Sequence, residues 1–135
     1  MKRYLLDTNH LSAYLDRNGG LQGRVDAGLV TGDRFGIALP VLCEYRAGIA
    51  VGSRFQRNLA RLTAAMGIFR LWPADQHTAV EFGNLFQELR RAGRMLSQFD
   101  LLIAAMARQH GLTLLTADRD FQVVPRLAVE NWLVP

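Results

Sequence analysis

Short aliphatic runs alternate with longer amphipathic ones along the whole chain. Arg3–Leu6, Phe35–Leu39, Ile68–Trp72, Leu112–Leu115 and Ala128–Leu133 are short and rich in aliphatic or aromatic residues, which predicts strands. The segments between them carry helical spacing. Helices are predicted over His10–Asp16, with Thr8 or Asn9 as N-cap, and over Leu21–Leu29. Further helices are predicted from Pro40 to about Ala50, over Arg54–Met66 and over Ala74–Arg91. Asn18-Gly19-Gly20, Thr31-Gly32-Asp33, Gly52-Ser53, Pro73 and Gly93 supply the breaks. The most informative stretch is Ser97–Phe121. There Asp100 opens a nearly all-apolar helix, Gly111 leads into the Leu112–Leu115 strand, and a turn follows with Asp118 and Asp120.

Strands alternating with helices predict an α/β domain, one unit over residues 1–135, with a mostly parallel sheet flanked by helices on both faces. Ligands of such sheets bind outside the carboxyl ends of the strands. Asp7 and Asp118 each follow a predicted strand. Glu44 lies in the first turns of a helix that follows one, and Asp100 at the start of a helix that precedes one. Four acids from distant parts of the sequence are thereby expected at one edge of the sheet.

Composition narrows the picture. The 135 residues, half of them hydrophobic, suffice for one domain with a core and exclude disorder. No apolar run is long enough to span a bilayer, and the N-terminal segment lacks a signal-peptide pattern, so the expected compartment is the cytoplasm. Cys43 is the only cysteine, which excludes an intrachain disulfide and a cysteine-based zinc site. The formal charge is +4, and Lys2 is the only lysine, so the positive charge is almost all arginine. That composition suits an anionic partner, nucleic acid or an acidic protein, although it also fits a host that favours arginine.

Each acid has a structural explanation on its own. Ser97 and Asp100 have capping-box spacing, a carboxylate suits a helix N-terminus, and Asp118 and Asp120 suit a turn. Arg94, Arg108 and Arg119 are candidates to neutralise some of them. Glu44 lacks a local ion pair, because its helical neighbours are Pro40, Val41, Ala47 and Gly48. Gathered together, the carboxylates repel one another, and a divalent cation removes that repulsion. Oxygen ligands point to Mg²⁺ or Mn²⁺, which activates a water and stabilises charge on a phosphodiester. No set of histidines has zinc spacing.

Four segments then resemble one family. YLLDTN at 4–9, CEYRAGI at 43–49, FDLLIAA at 99–105 and LLTADRDF at 114–121 are similar, in order and spacing, to PIN-domain ribonucleases, and within them to the VapC-type toxins of bacterial toxin–antitoxin pairs. The resemblance covers essentially the whole chain. It implies a parallel five-stranded sheet between helices. It also implies that Asp7, Glu44, Asp100 and Asp118 are the catalytic, Mg²⁺- or Mn²⁺-binding acids of an endoribonuclease. Asp120 falls where members often carry a further acid. Thr8, Asn9 and Thr116 fall on the polar residues that support the metal site. The resemblance further implies a homodimer and a cognate VapB-type antitoxin, with Arg46 and Arg94 as contacts to RNA or antitoxin. Met95-Leu96-Ser97 departs from the family's usual isoleucine and Gly or Pro, and leaves all four acids in place.

Other residues receive weaker assignments. Cys43 reads as a packed thiol beside Glu44, and His10, His77 and His110 as structural or surface residues rather than bases. Arg54, Arg57, Arg61, Arg90, Arg91 and Arg94 are candidates for RNA phosphates, with a solvated helix face as the plain alternative. Phe69, Trp72 and Trp132 are better placed as core than as base-stacking residues. Two other functions fit the same fold: a housekeeping PIN nuclease in RNA maturation, and an inactive module that binds RNA or protein. A receiver-like phosphoacceptor domain ranks low, since it needs a late lysine.

Overall fold

The computed structural model describes residues 1–17 and 19–133. Asn18, part of one predicted break, lies outside them. In chain order the elements are β1 (Arg3–Leu6), α1 (Thr8–Leu15), α2 (Leu21–Val30), β2 (Arg34–Ala38), α3 (Leu39–Ala50), α4 (Phe55–Ala65), β3 (Arg70–Trp72), α5 (Gln76–Arg91), α6 (Gln98–His110), β4 (Thr113–Leu115) and β5 (Val129–Glu130). A short 3-10 helix, Arg119–Val123, links β4 to β5. The five strands form one sheet in the order β3-β2-β1-β4-β5, every pair parallel.

This order reverses direction between β1 and β4. Right-handed crossovers therefore place α1–α4 over one face and α5–α6 over the other. α1 packs on α2, α3 and α4, while α5 packs along α6. The central strands carry the core: Leu5, Leu6, Ile37, Leu114 and Leu115 are fully buried, and so are Ile103 and Met106 of α6. The all-apolar face of α6 thus has the buried position its sequence predicts. Gly111 ends α6 in the left-handed region at φ 63°, which most side chains avoid.

The expected boundaries shift in several places, each for a local reason. Helix α1 starts at Thr8, because Asp7 itself is the N-cap and its Oδ1 accepts the Thr8 N–H at 2.8 Å. Neither Thr8 nor Asn9 is the cap. β2 and α3 begin one residue early, with Pro40 in the first turn of α3. β3 omits Ile68 and Phe69, whose N–H groups still bond back to the Ala65 carbonyl at the end of α4. α5 begins after Asp75, which forms a capping box with Thr78. β5 is cut to Val129–Glu130, because the Trp132 N–H turns away to His10 Nε2 at 3.0 Å.

Candidate active site

The parallel pairing of β1 and β4 aligns Leu6 with Leu115. The next residue of each strand, Asp7 and Thr116, therefore emerges side by side at the carboxyl edge, at the point where the strand order reverses. This is the crevice where open α/β sheets bind ligands. Asp7 is only 5% exposed. Its Oδ2 accepts the Thr116 hydroxyl at 2.7 Å and, at 3.5 Å, the Asn9 side-chain amide. Thr116 Oγ1 in turn accepts the Asp118 N–H at 3.0 Å, and Asp118 Oδ1 accepts the Asp120 N–H at 2.9 Å. The turn after β4 is thus tied to the acid after β1. Asp118 also serves as N-cap of the 3-10 helix, the plain structural role expected of a turn aspartate.

Two helices bring the remaining acids. Glu44 lies in the second turn of α3, and the Thr8 hydroxyl donates to its Oε1 over a long 3.4 Å. Asp100 lies in the first turn of α6, where the Ser97 hydroxyl accepts its N–H at 3.2 Å and caps the helix. α3 and α6 touch across the sheet edge.

The electrostatics show that the acids share one field. Burial, more than any other cause, raises the Asp7 carboxyl above the usual range, and the Asp118 charge adds to it against the Thr116, Thr8 and Asn9 hydrogen bonds. Glu44 is raised by burial, then by Asp7 and Asp100. Asp100 is raised by burial and by Asp7, Asp118 and Asp120, with Ser97 opposing. Each of the four expected acids therefore acts on another, and Asp120 lies close enough to join them.

No basic side chain among the described residues answers this charge. Arg108, a candidate to do so, instead pairs with Glu81 and Glu88 at 2.6 and 3.0 Å. Neither Arg94 nor Arg119, both exposed, forms an ion pair among the described residues. The donors are all hard oxygens, which fits Mg²⁺ or Mn²⁺ and not a thiolate-seeking metal. Yet among the described residues no three acidic, histidine or cysteine side chains stand close enough to enclose an ion. Like charges at this edge repel one another, and hydrogen bonds fix Asp7 and Asp118. A cation that keeps several of its waters can bridge such spacing without all ligands touching it.

The sequence pattern does not reveal the role of His10. It is fully buried in α1, and burial lowers its pKa to about 4, so the ring is neutral. Its Nδ1 lies 2.6 Å from Asn9 Oδ1, which also accepts the Ala117 N–H. Nδ1 is therefore the protonated nitrogen, and Nε2 accepts from Trp132. A continuous chain of contacts runs from Asp7 through Asn9 and His10 to the C-terminal segment. The structural reading of this histidine is correct, but nothing in the local sequence signals the link.

Other expectations divide. Phe69 and Trp72 are buried, as core residues should be. Trp132 is half-buried against Tyr4 and Phe35, with the Arg24 guanidinium 3.9 Å from its ring centre. Cys43 is exposed, not packed, because its position on α3 faces away from the core that holds Val41 and Tyr45. Arg46, Arg54, Arg57, Arg90 and Arg91 are exposed, whereas Arg61 is half-buried beside Asp16 and the Leu15 carbonyl.

Comparison with known proteins agrees with this geometry. The PIN-domain family profile matches residues 4–127. The chain is 30% identical over 133 residues to the tRNA(fMet)-specific endonuclease VapC of Shigella flexneri, covering 98% of this chain and 99% of that protein. It is 25% identical over 130 residues to ribonuclease VapC2 of Rickettsia felis, covering 96% of this chain and 97% of that one. Among solved structures, VapBC2 from Rickettsia felis bound to promoter DNA superposes with a TM-score of 0.88 at 24% identity, over 96% of this chain and 98% of that one. DNA-bound VapBC from Salmonella typhimurium gives 0.87 at 25% identity, over 98% and 99%. With the acids of four segments gathered at one sheet edge and the profile spanning nearly the whole chain, this protein belongs to the PIN-domain family, among its VapC ribonucleases.

Proposed function

We propose that this chain is a metal-dependent endoribonuclease and the toxin of a VapBC-type pair. One observation carries the reading: four carboxylates from α3, α6 and the ends of β1 and β4 share a field that no described basic side chain neutralises. Asp7, Glu44, Asp100 and Asp118 would hold Mg²⁺ or Mn²⁺, directly or through water, with Asp120 at the rim. Such an ion, when bound, supplies an activated water and offsets charge on the phosphodiester.

The chain's own residues do the rest. Thr116, Asn9 and the Thr8 N–H hold Asp7 in one orientation. Thr8 steadies Glu44, and the Asp118 turn is locked to the same hydroxyl of Thr116. Beside Glu44 and Thr8, an open groove of about 210 Å³ reaches past Ser12 to Asp16 and Asn58, where part of an RNA strand would lie beside Glu44. No side chain is required as nucleophile, and His10, neutral and engaged at both ring nitrogens, is not a base.

The relatives suggest where to look for substrate and partners. The Shigella and Salmonella proteins are named as specific for tRNA(fMet), so initiator tRNA is the first substrate to try. Structural neighbours are complexes with a VapB, which supports a cognate antitoxin here, and the family resemblance supports a homodimer. Arg46 and Arg94, both exposed, are the candidate contacts to RNA or antitoxin.

The test is cleavage of initiator tRNA and total bacterial RNA by antitoxin-free protein in Mg²⁺, in Mn²⁺ and in chelator, beside Asp100→Asn. Discrete fragments that need metal and vanish in the variant are expected. Cleavage at the wild-type rate by Asp100→Asn, or in chelator, overturns the assignment.

A further inference from the structure

A second charged site lies at the opposite edge of the sheet. Three adjacent parallel strands each begin with an arginine: Arg3 on β1, Arg34 on β2 and Arg70 on β3. The register pairs Arg3 with Arg34 and sets Arg70 against Gly36, two residues further along β2. All three line one cavity of about 310 Å³, together with Gly36, Trp72 and Leu112. It sits one strand length from the acids, about 13 Å along β1 from Arg3 to Asp7.

The arginines are held in place by uncharged partners. Arg3 donates to the His110 carbonyl at 2.9 Å, and Arg34 to the Gly32 and Asp33 carbonyls at 3.2 Å each. The Arg70 guanidinium lies 3.7 Å from the centre of the Trp72 ring. None of the three forms an ion pair among the described residues. The neighbouring carboxylates are engaged elsewhere. Asp33 accepts the Lys2 N–H at 2.9 Å, and Asp75 accepts from Thr78 and Gln109.

Gly36 lets Trp72 pack closely on β2 at the wall of the cavity. A Cβ there would come within 2.6 Å of the Arg70 carbonyl and of Trp72 Nε1, so only glycine lets the indole cross the sheet. His110 stacks against the same indole at 4.4 Å, and its Nε2 is a buried nitrogen without a hydrogen-bond partner. With Arg70 and His110 both packed on Trp72, which is 7% exposed, the ring is not free to stack on a base. The chemistry on offer is therefore guanidinium forks and not an aromatic platform. Such forks, pre-oriented by carbonyls and an indole and lacking carboxylate partners, match the oxygens of a phosphate group.

We propose that the Arg3–Arg34–Arg70 cavity is a phosphate-binding site, separate from the acidic edge and independent of cleavage. The phosphate has two candidate sources, an RNA strand that extends around the domain or a free pyrophosphate or nucleotide, and the experiment tells them apart.

Calorimetry of the full chain in chelator is the test, because without metal the acidic edge repels an anion. Inorganic pyrophosphate is titrated first, then an uncleaved single-stranded RNA. The variants are Arg34→Gln with Arg70→Gln, the same pair changed to Lys, and an equal-charge control, Arg17→Gln with Arg126→Gln, two exposed arginines given no part in binding. Pyrophosphate is expected to bind the wild type and the control. Its affinity is expected to fall about tenfold or more in the Gln pair and in part in the Lys pair, which keeps charge but not the fork. If the RNA is the source, its affinity falls in parallel, and the slope of log affinity against log salt drops by about 0.7 for each phosphate no longer neutralised. If RNA binding is unchanged while pyrophosphate binding is abolished, the ligand is a free phosphate compound. No pyrophosphate binding by the wild type, or an equal loss in the equal-charge control, overturns the proposal. Should the Gln pair fail to fold, the Lys pair, which retains the long stems, decides the matter.

Discussion

Thr116→Val isolates the hydroxyl that ties the two central strand ends together. Valine matches threonine in shape, so the 2%-exposed site stays filled. What disappears is one O–H donor to Asp7 Oδ2 at 2.7 Å and one acceptor, shared by the Asp118 N–H at 3.0 Å and the Asn9 side-chain amide at 3.4 Å. Asp7 keeps the Thr8 N–H on Oδ1, but its Oδ2 is left with the Asn9 amide at 3.5 Å. A hydrogen bond to a buried charged group is worth about 1.5–3 kcal/mol. The Asp118 N–H lies nearer the surface, where water replaces the missing acceptor, and adds little. The expected loss is therefore about 2–3 kcal/mol at pH 7, enough to lower a urea midpoint by roughly 1 M.

The pH dependence separates this cause from simple packing. The hydroxyl stabilises the ionised carboxylate, so removing it raises the Asp7 carboxyl further above its ordinary range. Below that range the acid is neutral in both proteins, and the gap between them narrows. Urea unfolding of metal-free protein in a series from pH 7 down through the carboxylate range measures the gap. Thr116→Ser keeps the hydroxyl and loses one methyl group, a cost of about 1 kcal/mol that should not vary with pH. A valine variant within about 0.5 kcal/mol of wild type, or a gap that does not narrow anywhere in the series, refutes the reasoning.

The other predictions concern charge. His10 has its pKa lowered to about 4 by burial, against an ordinary value near 6.5, so the unfolded chain takes up this proton first as pH falls. Its contribution is fully present above the ordinary value and is lost towards pH 4, by about 3 kcal/mol. A urea series over that window should therefore be flatter for His10→Gln. The raised carboxyls of Asp7, Glu44 and Asp100 act in the opposite sense. Their contribution is full below the ordinary carboxylate range near 4 and is lost as pH rises through their folded values. In chelator at pH 7, Asp100→Asn should then melt above wild type, and excess Mn²⁺ should raise the wild-type melting temperature more than the variant's. A wild-type melting curve that ignores Mn²⁺ would count against the metal site. Finally, Arg108, with a 5%-exposed side chain, ties α5 to α6 through Glu81 and Glu88, each about a quarter exposed. Arg108→Met should cost about 1–3 kcal/mol in urea unfolding, less than a fully buried pair, because water screens the glutamates left behind.

What the sequence reveals and what it hides follow from how far each signal reaches. Asp7 and Asp118 are legible because a short aliphatic run followed by an acid places that acid at the exit of a strand. Asp100 is legible because Ser97 and the apolar run fix where α6 begins. The parallel order then delivers these acids to one edge without any distance being known. Boundaries are hidden wherever a backbone group chooses a distant partner. β5 ends early because the Trp132 N–H finds His10, and no local pattern at either residue anticipates a contact 122 positions away. Asp7 as the cap of α1 is hidden for another reason, since Thr8 and Asn9 are equally good caps in sequence and only the strand exit decides among them. Arg3, Arg34 and Arg70 each look like an ordinary strand-start arginine, and only register makes them neighbours.

Hydrogen bonds hold one half of the site more fully than the other, and this asymmetry bears on how the proposed ion would be taken up. Asp7 is fixed by three donors, and the Asp118 turn is fixed through the same threonine, so that half is assembled before any ion arrives. Glu44 has one long hydrogen bond at 3.4 Å from a flexible stem, and Asp100 rides on the first turn of α6. Repulsion among the four disfavours close approach of the second pair to the first, and among the described residues no three carboxylates converge as they stand. The proposed cation would reverse the sign of that interaction, and the pair held by fewer hydrogen bonds is the pair expected to respond. Changing Thr116 should therefore loosen the half that is already built. Changing Asp100 should leave that half intact and remove the part that must move.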